Sequence, residues 1–112
     1  METTRQKKIS RLLQKDLAII FQMDAPAILG SFMFTITGVM VSPDLSVAKV
    51  YLSIFPSDDS KKLMEQVKEK SPFFRNLLAK KVRHQLRIIP ELHFYLDDSA
   101  DYADEINRLL KE

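Results

Sequence analysis

The chain of 112 residues contains no cysteine, only two glycines and only two histidines. Without cysteine, a disulfide framework and thiolate zinc sites are excluded, and the composition fits a reducing compartment. His84 and His93 fall on different predicted elements and lack further ligands at metal-binding spacing. Neither Gly30 nor Gly38 belongs to a phosphate-binding loop motif. We therefore expect no metal and no cofactor.

Long apolar runs are also absent. Nothing approaches an 18-residue apolar span, and the N-terminus METTRQKKISRLLQ is charged and lacks the apolar core of a signal peptide. We expect a cytoplasmic protein that is neither exported nor inserted in a membrane. A chain of this length is of ordinary single-domain size, so residues 1–112 are predicted to form one domain.

Patterns typical of catalysis are scarce as well. There is no cysteine nucleophile, and no Ser-His-Asp order that the predicted strands would bring together. An acidic cluster near the C-terminus lacks the glycine and closing glutamate of an EF-hand loop, so helix capping explains it better than calcium binding. We expect a protein that is not an enzyme and has no small-molecule substrate. The cluster consists of Asp97, Asp98, Asp101, Asp104 and Glu105.

Hydrophobic periodicity predicts an α+β chain in the order helix, strand, strand, helix, helix, strand, helix. The two strands flanking Ser42-Pro43-Asp44-Leu45-Ser46 should form an antiparallel hairpin, because Pro43 and Asp44 favour a turn. The predicted elements are a helix capped by Thr3 or Thr4 and ending near Met23, a connector over 24–31, strands over 32–41 and 47–55, a helix capped by Ser57 or Asp58, a strand over 91–97 and a short helix from Asp98 onward.

Residues 61–90 contain two consecutive predicted helices that are interrupted at Lys70-Ser71-Pro72. Ser71 is suited to cap the second helix, and Pro72 suits its first position, where the missing N–H would have had no partner. The second helix is expected to end near Ile88, because the residue before Pro90 disfavours helix.

Positive charge is concentrated in this helical pair. Residues 61–87 contain nine lysines and arginines against two glutamates, whereas residues 88–112 contain seven acidic and two basic side chains. This layout suggests a local site for a polyanion, although a solvated lysine-rich helix that only serves solubility is the alternative. Asn76, Lys80, Arg83 and Arg87 follow one another at steps of four, three and four, which places them on one helix face beside Arg75.

Several stretches of the chain fit one family pattern together. They are Ser42-Pro43-Asp44-Leu45 running into Ala48-Lys49-Val50-Tyr51, the helix from Phe74-Arg75 to Leu86-Arg87, Pro90-Glu91-Leu92 with Phe94 and Asp97, and the opening helix with Arg5 and Ile9. In register over nearly the whole chain, they resemble bacterial ribosome-binding factor A, a small-subunit assembly protein. The resemblance implies a KH-like fold of the second type, with the helices on a three-stranded sheet.

The resemblance also implies binding to the small (30S) ribosomal subunit or its precursor, late processing of 16S rRNA, and importance for growth in the cold. We expect a monomer. A helix N-terminus offers N–H donors to phosphate, and a cationic helix face can follow a phosphate path, so the residues supply a means of binding RNA. The candidate RNA-contacting residues are Arg5, Lys8, Lys49, Lys70, Arg75, Asn76, Lys80, Lys81, Arg83 and Arg87.

One departure from the pattern affects the expected contacts. KH domains that grip single strands carry Gly-x-x-Gly between their helices, and the resembled family has an Ala-x-Gly kink, but this chain has Lys70-Ser71-Pro72. Since proline lacks an amide donor and is bulkier than glycine, we expect side chains to make the contacts that backbone amides make elsewhere. The chief candidates are Lys70, Arg75 and Lys80.

Other interpretations stay open. Arg87 has an alternative role as an ion-pair partner of Glu91 or Asp97, and Lys49 has one as a cross-strand partner. Tyr51 and Tyr95 should share the outer sheet face, which suits base stacking or equally a docked element. A protein-binding adaptor that uses the acidic C-terminal helix or this outer face is the second functional hypothesis. A small enzyme is the third.

Overall fold

The computed structural model describes residues 3–55 and 58–97, which form one three-stranded sheet and its packed helices. The predicted order is confirmed as far as the third strand, except that a short additional helix lies in the predicted connector, and the predicted C-terminal helix lies outside the described residues. Within the described part, no helix is long and apolar enough to cross a membrane. The elements are α1 (Thr4–Met23), α2 (Ala25–Leu29), β1 (Met33–Val41), β2 (Val47–Phe55), α3 (Ser60–Glu69), α4 (Ser71–Val82) and β3 (Glu91–Leu96).

Helix α1 begins as the sequence predicts. The Thr3 hydroxyl accepts a hydrogen bond from the Gln6 amide at 3.1 Å, and the Gln6 side chain accepts one from the Thr3 amide at 2.8 Å. The predicted connector contains the short helix α2, since Pro26 fits a first helical turn and Gly30, at φ 105°, ends it. Leu29 of α2 is buried. Most of the apolar residues of α1 are buried as well.

Strands β1 and β2 pair antiparallel, and the turn between them is organised by Asp44. The Asp44 carboxylate accepts hydrogen bonds from the Ser42 and Ser46 hydroxyls, both at 2.7 Å, and from the Ser46 amide at 3.1 Å. The Ser42 hydroxyl bond, followed by the two bonds from Ser46, lowers the pKa of Asp44 from its ordinary value of 3.8 to about 2. The ionised carboxylate accepts all three bonds and holds the hairpin turn closed.

Strand β3 lies beside β2 and runs parallel to it, so β2 is the central strand. Helices cover one face of the sheet, where Phe21 of α1 stacks on Phe74 of α4 with ring centroids 4.5 Å apart. The ring of Phe94 in β3 lies 5.7 Å from Phe21 and 6.1 Å from Phe74. This aromatic cluster joins α1, α4 and β3 and fixes the position of α4 on the sheet.

The outer edge of β1 is partly closed by α1. The Gln6 side-chain amide donates to the Val41 carbonyl at 3.1 Å, and the Gln14 amide donates to the Ile36 carbonyl at 3.4 Å. These bonds satisfy carbonyls of a strand that has a neighbour on only one side. The opposite edge of the sheet, at β3, is where the cationic helices lie.

The predicted start of α3 and the predicted end of α4 were wrong. Helix α3 begins at Ser60 with Asp59, not Asp58, in the capping position, and Ser57 lies outside the described residues. Helix α4 ends at Val82 and not near Ile88. The Val82 carbonyl accepts from the amides of both Gln85 and Leu86, which tightens the chain into a turn, and Leu86 then packs against the core. Because α4 ends early, Arg87 lies beyond the helix.

Candidate nucleic-acid interface

The interruption between α3 and α4 occurs at Lys70, which ends one helix and precedes the next. Its amide donates to the Gln66 and Val67 carbonyls, and its carbonyl accepts from the Phe74 amide at 3.1 Å. Because neighbouring helices use its amide and carbonyl, the main chain at Lys70 is held firmly. The exposed Lys70 side chain projects from this kink.

The sequence predicts Ser71 as the cap of α4, but Ser71 is the first residue of that helix. Its hydroxyl donates to the Leu92 carbonyl at 2.9 Å and so ties the kink to strand β3. Pro72, which was predicted to be the first residue of the helix, is its second residue. The kink is therefore fastened to the sheet by a side chain, and it lacks the glycine that lets a backbone approach phosphate closely.

An open cleft of about 780 Å³ lies between the kink and β3, beside the Ser71–Leu92 hydrogen bond. Backbone N–H and C=O groups of successive β3 residues point alternately toward β2 and toward the cleft. The Glu91 amide donates to the Ser46 carbonyl, and the Asp97 amide donates to the Leu52 carbonyl. Because the direction alternates, Leu92 and Phe94 direct their backbone groups away from β2. The cleft is lined by Lys68, Ser71, Pro72, Arg75 and Asn76 on the helix side and by residues 91–95 on the strand side.

Arg75 lies at this cleft and bonds to the main chain that leads into β3. Its Nε donates to the Pro90 carbonyl at 3.2 Å, and its Nη2 donates to the Ile89 carbonyl at 2.7 Å. The residue is nevertheless exposed. Arg75 therefore has a structural function that its position in a basic helix did not reveal.

The face of α4 that points away from the core carries three of the predicted residues. Phe74, Leu78 and Val82 are fully buried on the inner side. Arg83 keeps helical backbone angles, φ −55° and ψ −27°, in the capping position, so the helical arc continues through it. We refer to the exposed residues on the outer side as the α4 ridge, which consists of Asn76, Lys80 and Arg83.

Arg87 does not belong to this ridge, which corrects the predicted four-residue face. It lies in the turn beyond the end of α4, and it is exposed. The alternative pairing with Glu91 or Asp97 is not found in residues 3–55 and 58–97 either. The Glu91 carboxylate lies 3.7 Å from His93 Nε2, and the Asp97 carboxylate accepts from the Thr37 hydroxyl at 2.6 Å.

The remaining candidate residues are spread over other surfaces. Lys81 is exposed on a flank of α4, whereas Arg5 and Lys8 are exposed on the first turns of α1. Lys49 is exposed on the outer face of the sheet, in register with His93 of β3. The structure thus gathers Lys70, Arg75 and the α4 ridge around one helix and its kink, but does not bring all ten residues together.

Lys68 is a cleft residue that the sequence reasoning did not single out. Its position in the last turn of α3, immediately before the kink, was the available signal, because a cation there also complements the helix dipole. The prediction that the two tyrosines share the outer sheet face is confirmed. Tyr51 and Tyr95 stack on the outer sheet face with ring centroids 5.6 Å apart and planes 30° apart.

The described residues contain no group of three or more histidine, aspartate or glutamate side chains that could hold a metal ion. The chemistry available at the kink is instead that of ammonium, guanidinium and amide donors. Such donors bind phosphate and carboxylate oxygens.

A family model described as ribosome-binding factor A matches residues 5–110 of the chain. The chain belongs to the ribosome-binding factor A family. A family member from Cytophaga hutchinsonii is 43% identical over 112 residues, which are 100% of this chain and 84% of that protein. Ribosome-binding factor A from Christiangramia forsetii is 42% identical over 111 residues, covering 98% of this chain and 85% of the relative.

Solved structures of ribosome-binding factor A share the fold. The crystal structure of the Thermus thermophilus protein aligns with a TM-score of 0.67 at 23% identity, over 81% of this chain and 94% of that one. A homology model of Thermus thermophilus ribosome-binding factor A, fitted into the cryo-EM map of a 30S–RbfA complex, gives a TM-score of 0.63 at 26% identity, over 80% of this chain and 91% of that one. The predicted α+β, KH-like fold with a three-stranded sheet is confirmed.

Proposed function

We propose that this chain binds the small ribosomal subunit or its precursor and assists late maturation of 16S rRNA. Membership of the ribosome-binding factor A family carries the proposal, together with the 30S complex of the Thermus thermophilus relative. Residues 1–112 act as a single KH-like domain, monomeric and cytoplasmic, with a role that includes growth in the cold. The protein holds RNA without making or breaking bonds and needs no cofactor or small-molecule substrate.

The exposed cations around the kink supply the means of binding. In the described part of the chain, the Lys70, Lys80 and Arg83 side chains have no carboxylate within ion-pair distance, so their charges are available to a ligand. Phosphate contacts of this kind position a protein on RNA without reading its sequence. The α4 ridge therefore follows the sugar-phosphate chain, while the cleft between the kink and β3 admits a strand alongside it.

An adaptor function is the second candidate, and the outer sheet face favours it. No described helix covers this face, and it exposes Met33 at 66%, Phe55 at 64% and Met40 at 49%. Met33 and Phe55 are paired across β1 and β2, and exposed apolar neighbours of this kind suit a protein partner. The acidic C-terminal helix that was predicted for the same role lies outside the described residues.

Co-sedimentation with purified precursor small subunits over a salt series tests the RNA proposal. Binding is expected to weaken by roughly 0.7 to 0.9 log units per log unit of salt for each neutralised phosphate, so four to six contacts should give a slope of about −3 to −5. Mature small subunits serve as the comparison, and they should bind more weakly because the protein leaves when maturation is complete.

A flat salt dependence would contradict the RNA proposal and favour the adaptor. Failure to bind precursor subunits at any salt concentration would contradict both the proposed partner and its maturation role.

A further inference from the structure

Arg75 uses only one edge of its guanidinium group on the protein. This group carries five N–H donors in a planar fork. One donor on Nε and one on Nη2 are bonded to the carbonyls of Pro90 and Ile89. The second donor on Nη2 and one donor on Nη1 form the outer edge of the group, and no described residue accepts from them. Since Arg75 is exposed and lines the cleft, that edge is open to a ligand.

We infer that Arg75 is a pre-positioned phosphate receptor, whose inner edge grips the chain before β3 and whose outer edge binds a backbone phosphate of single-stranded RNA at the cleft. This inference rests on the proposed function and assigns one contact within it. The two carbonyls fix the plane of the guanidinium before the ligand arrives, which reduces the side-chain entropy lost on binding. The fork then presents two parallel donors, a geometry that matches phosphate.

The surroundings of Arg75 favour an anion. Lys68, Asn76 and His93 also line the cleft and supply an ammonium, an amide and an imidazole. Glu91 is the acidic residue of the lining, and its exposed carboxylate lies 3.7 Å from His93 Nε2. The cleft therefore contains more donors and positive charge than carboxylate.

The same position compensates for the altered kink. The Ser71 hydroxyl is bonded to the Leu92 carbonyl, and Pro72 has no amide, so this turn offers a phosphate fewer donors than a glycine loop would offer. Arg75 lies on the following turn of the same helix, within the same cleft. The Arg75 side chain, braced by its two carbonyl bonds, thus supplies donors that the altered kink lacks.

Lysine cannot replace arginine in this arrangement, because a single ammonium cannot bond both carbonyls and also present a planar fork. The full-length Arg75→Lys variant should therefore bind a short single-stranded oligouridine about ten-fold or more weakly, as measured by fluorescence anisotropy. Arg11→Lys, an equally charge-conserving change at an exposed site on α1, is the control and should alter affinity by less than about two-fold.

Nuclear magnetic resonance of the unmodified protein provides a second measurement that does not depend on a variant. In the free protein, the Arg75 Nε–H signal should exchange slowly with water because it is bonded to Pro90. Adding the oligouridine should shift the Arg75 Nη signals while the Nε–H signal stays protected. An Arg75 guanidinium that is mobile in the free protein, or Nη signals that do not respond to RNA, would overturn the inference.

The inference and the proposed function fail differently. If Arg75→Lys binds RNA as tightly as the unmodified protein, while precursor subunits still bind in a salt-dependent manner, the receptor role is wrong and the function stands. If the unmodified protein binds neither precursor subunits nor oligouridine, the proposed function fails.

Discussion

Replacing both Lys80 and Arg83 with glutamate is expected to abolish co-sedimentation with precursor small subunits. The change reverses the charge of two ridge residues that have no ion-pair partner in the described part of the chain. Each substitution removes a contact to a phosphate and introduces a carboxylate that the phosphate repels. Affinity should therefore fall by about 100-fold or more at moderate salt. Both side chains point away from the buried side of α4, so the melting temperature should change by no more than about 2 °C.

A matched double variant separates a specific surface from net charge. Lys61→Glu with Lys62→Glu makes the same change in charge at two exposed positions in the first turn of α3, away from the kink. It should retain most of the affinity. Equal losses in the two double variants would mean that total charge alone drives binding, and full binding by the ridge variant would remove the ridge from the interface. Arg75 is unsuitable for this test, because its replacement also releases the Ile89 and Pro90 carbonyls.

Truncating Phe74 to alanine is expected to lower the free energy of unfolding by about 3 to 5 kcal/mol. Phe74 is fully buried, and its ring contacts the rings of both Phe21 and Phe94. The substitution leaves a cavity where α1, α4 and β3 meet. The loss of stability therefore includes the lost burial of the ring and the lost packing contacts around the cavity. Urea denaturation followed by circular dichroism measures the change.

The preceding residue provides the control for this truncation. Phe73 has the same side chain but is 44% exposed, and its ring touches the cluster only through an edge contact with Phe74. Phe73→Ala should therefore cost less than about 1 kcal/mol. If the two variants are equally stable, the aromatic cluster does not hold α4 in place, and the geometry of the ridge has another origin.

Local patterns predict much of this fold because local chemistry determines it. The hairpin follows from Pro43 and Asp44, whose carboxylate bonds residues within the turn itself. The alternation of β2 and β3 correctly separates the buried face from the face bearing Tyr51 and Tyr95, since side chains of a strand alternate with a period of two. The interruption at Lys70 is also marked locally, by Pro72.

The missed features depend on contacts between distant parts of the chain. Ser71 reads as a helix cap, yet its hydroxyl bonds to Leu92, 21 residues away. Arg75 reads as a free cation, yet it bonds to carbonyls 14 and 15 residues further on. Periodicity predicts Arg87 on the helix face of Lys80 and Arg83, because it does not reveal that the chain turns after Val82. The sequence therefore indicated which helix is cationic but not which of its cations are also bonded to the protein.

Site-directed photo-crosslinking within precursor small subunits shows which face of the protein meets 16S rRNA. A benzophenone side chain placed at Asn76, in the middle of the α4 ridge, should join to 16S rRNA nucleotides that sequencing can map. The same probe at Met40, exposed on the opposite face of the sheet, should join to RNA much less often. RNA crosslinks from Met40 together with none from Asn76 would show that the protein binds the particle through its outer sheet face, contrary to this account.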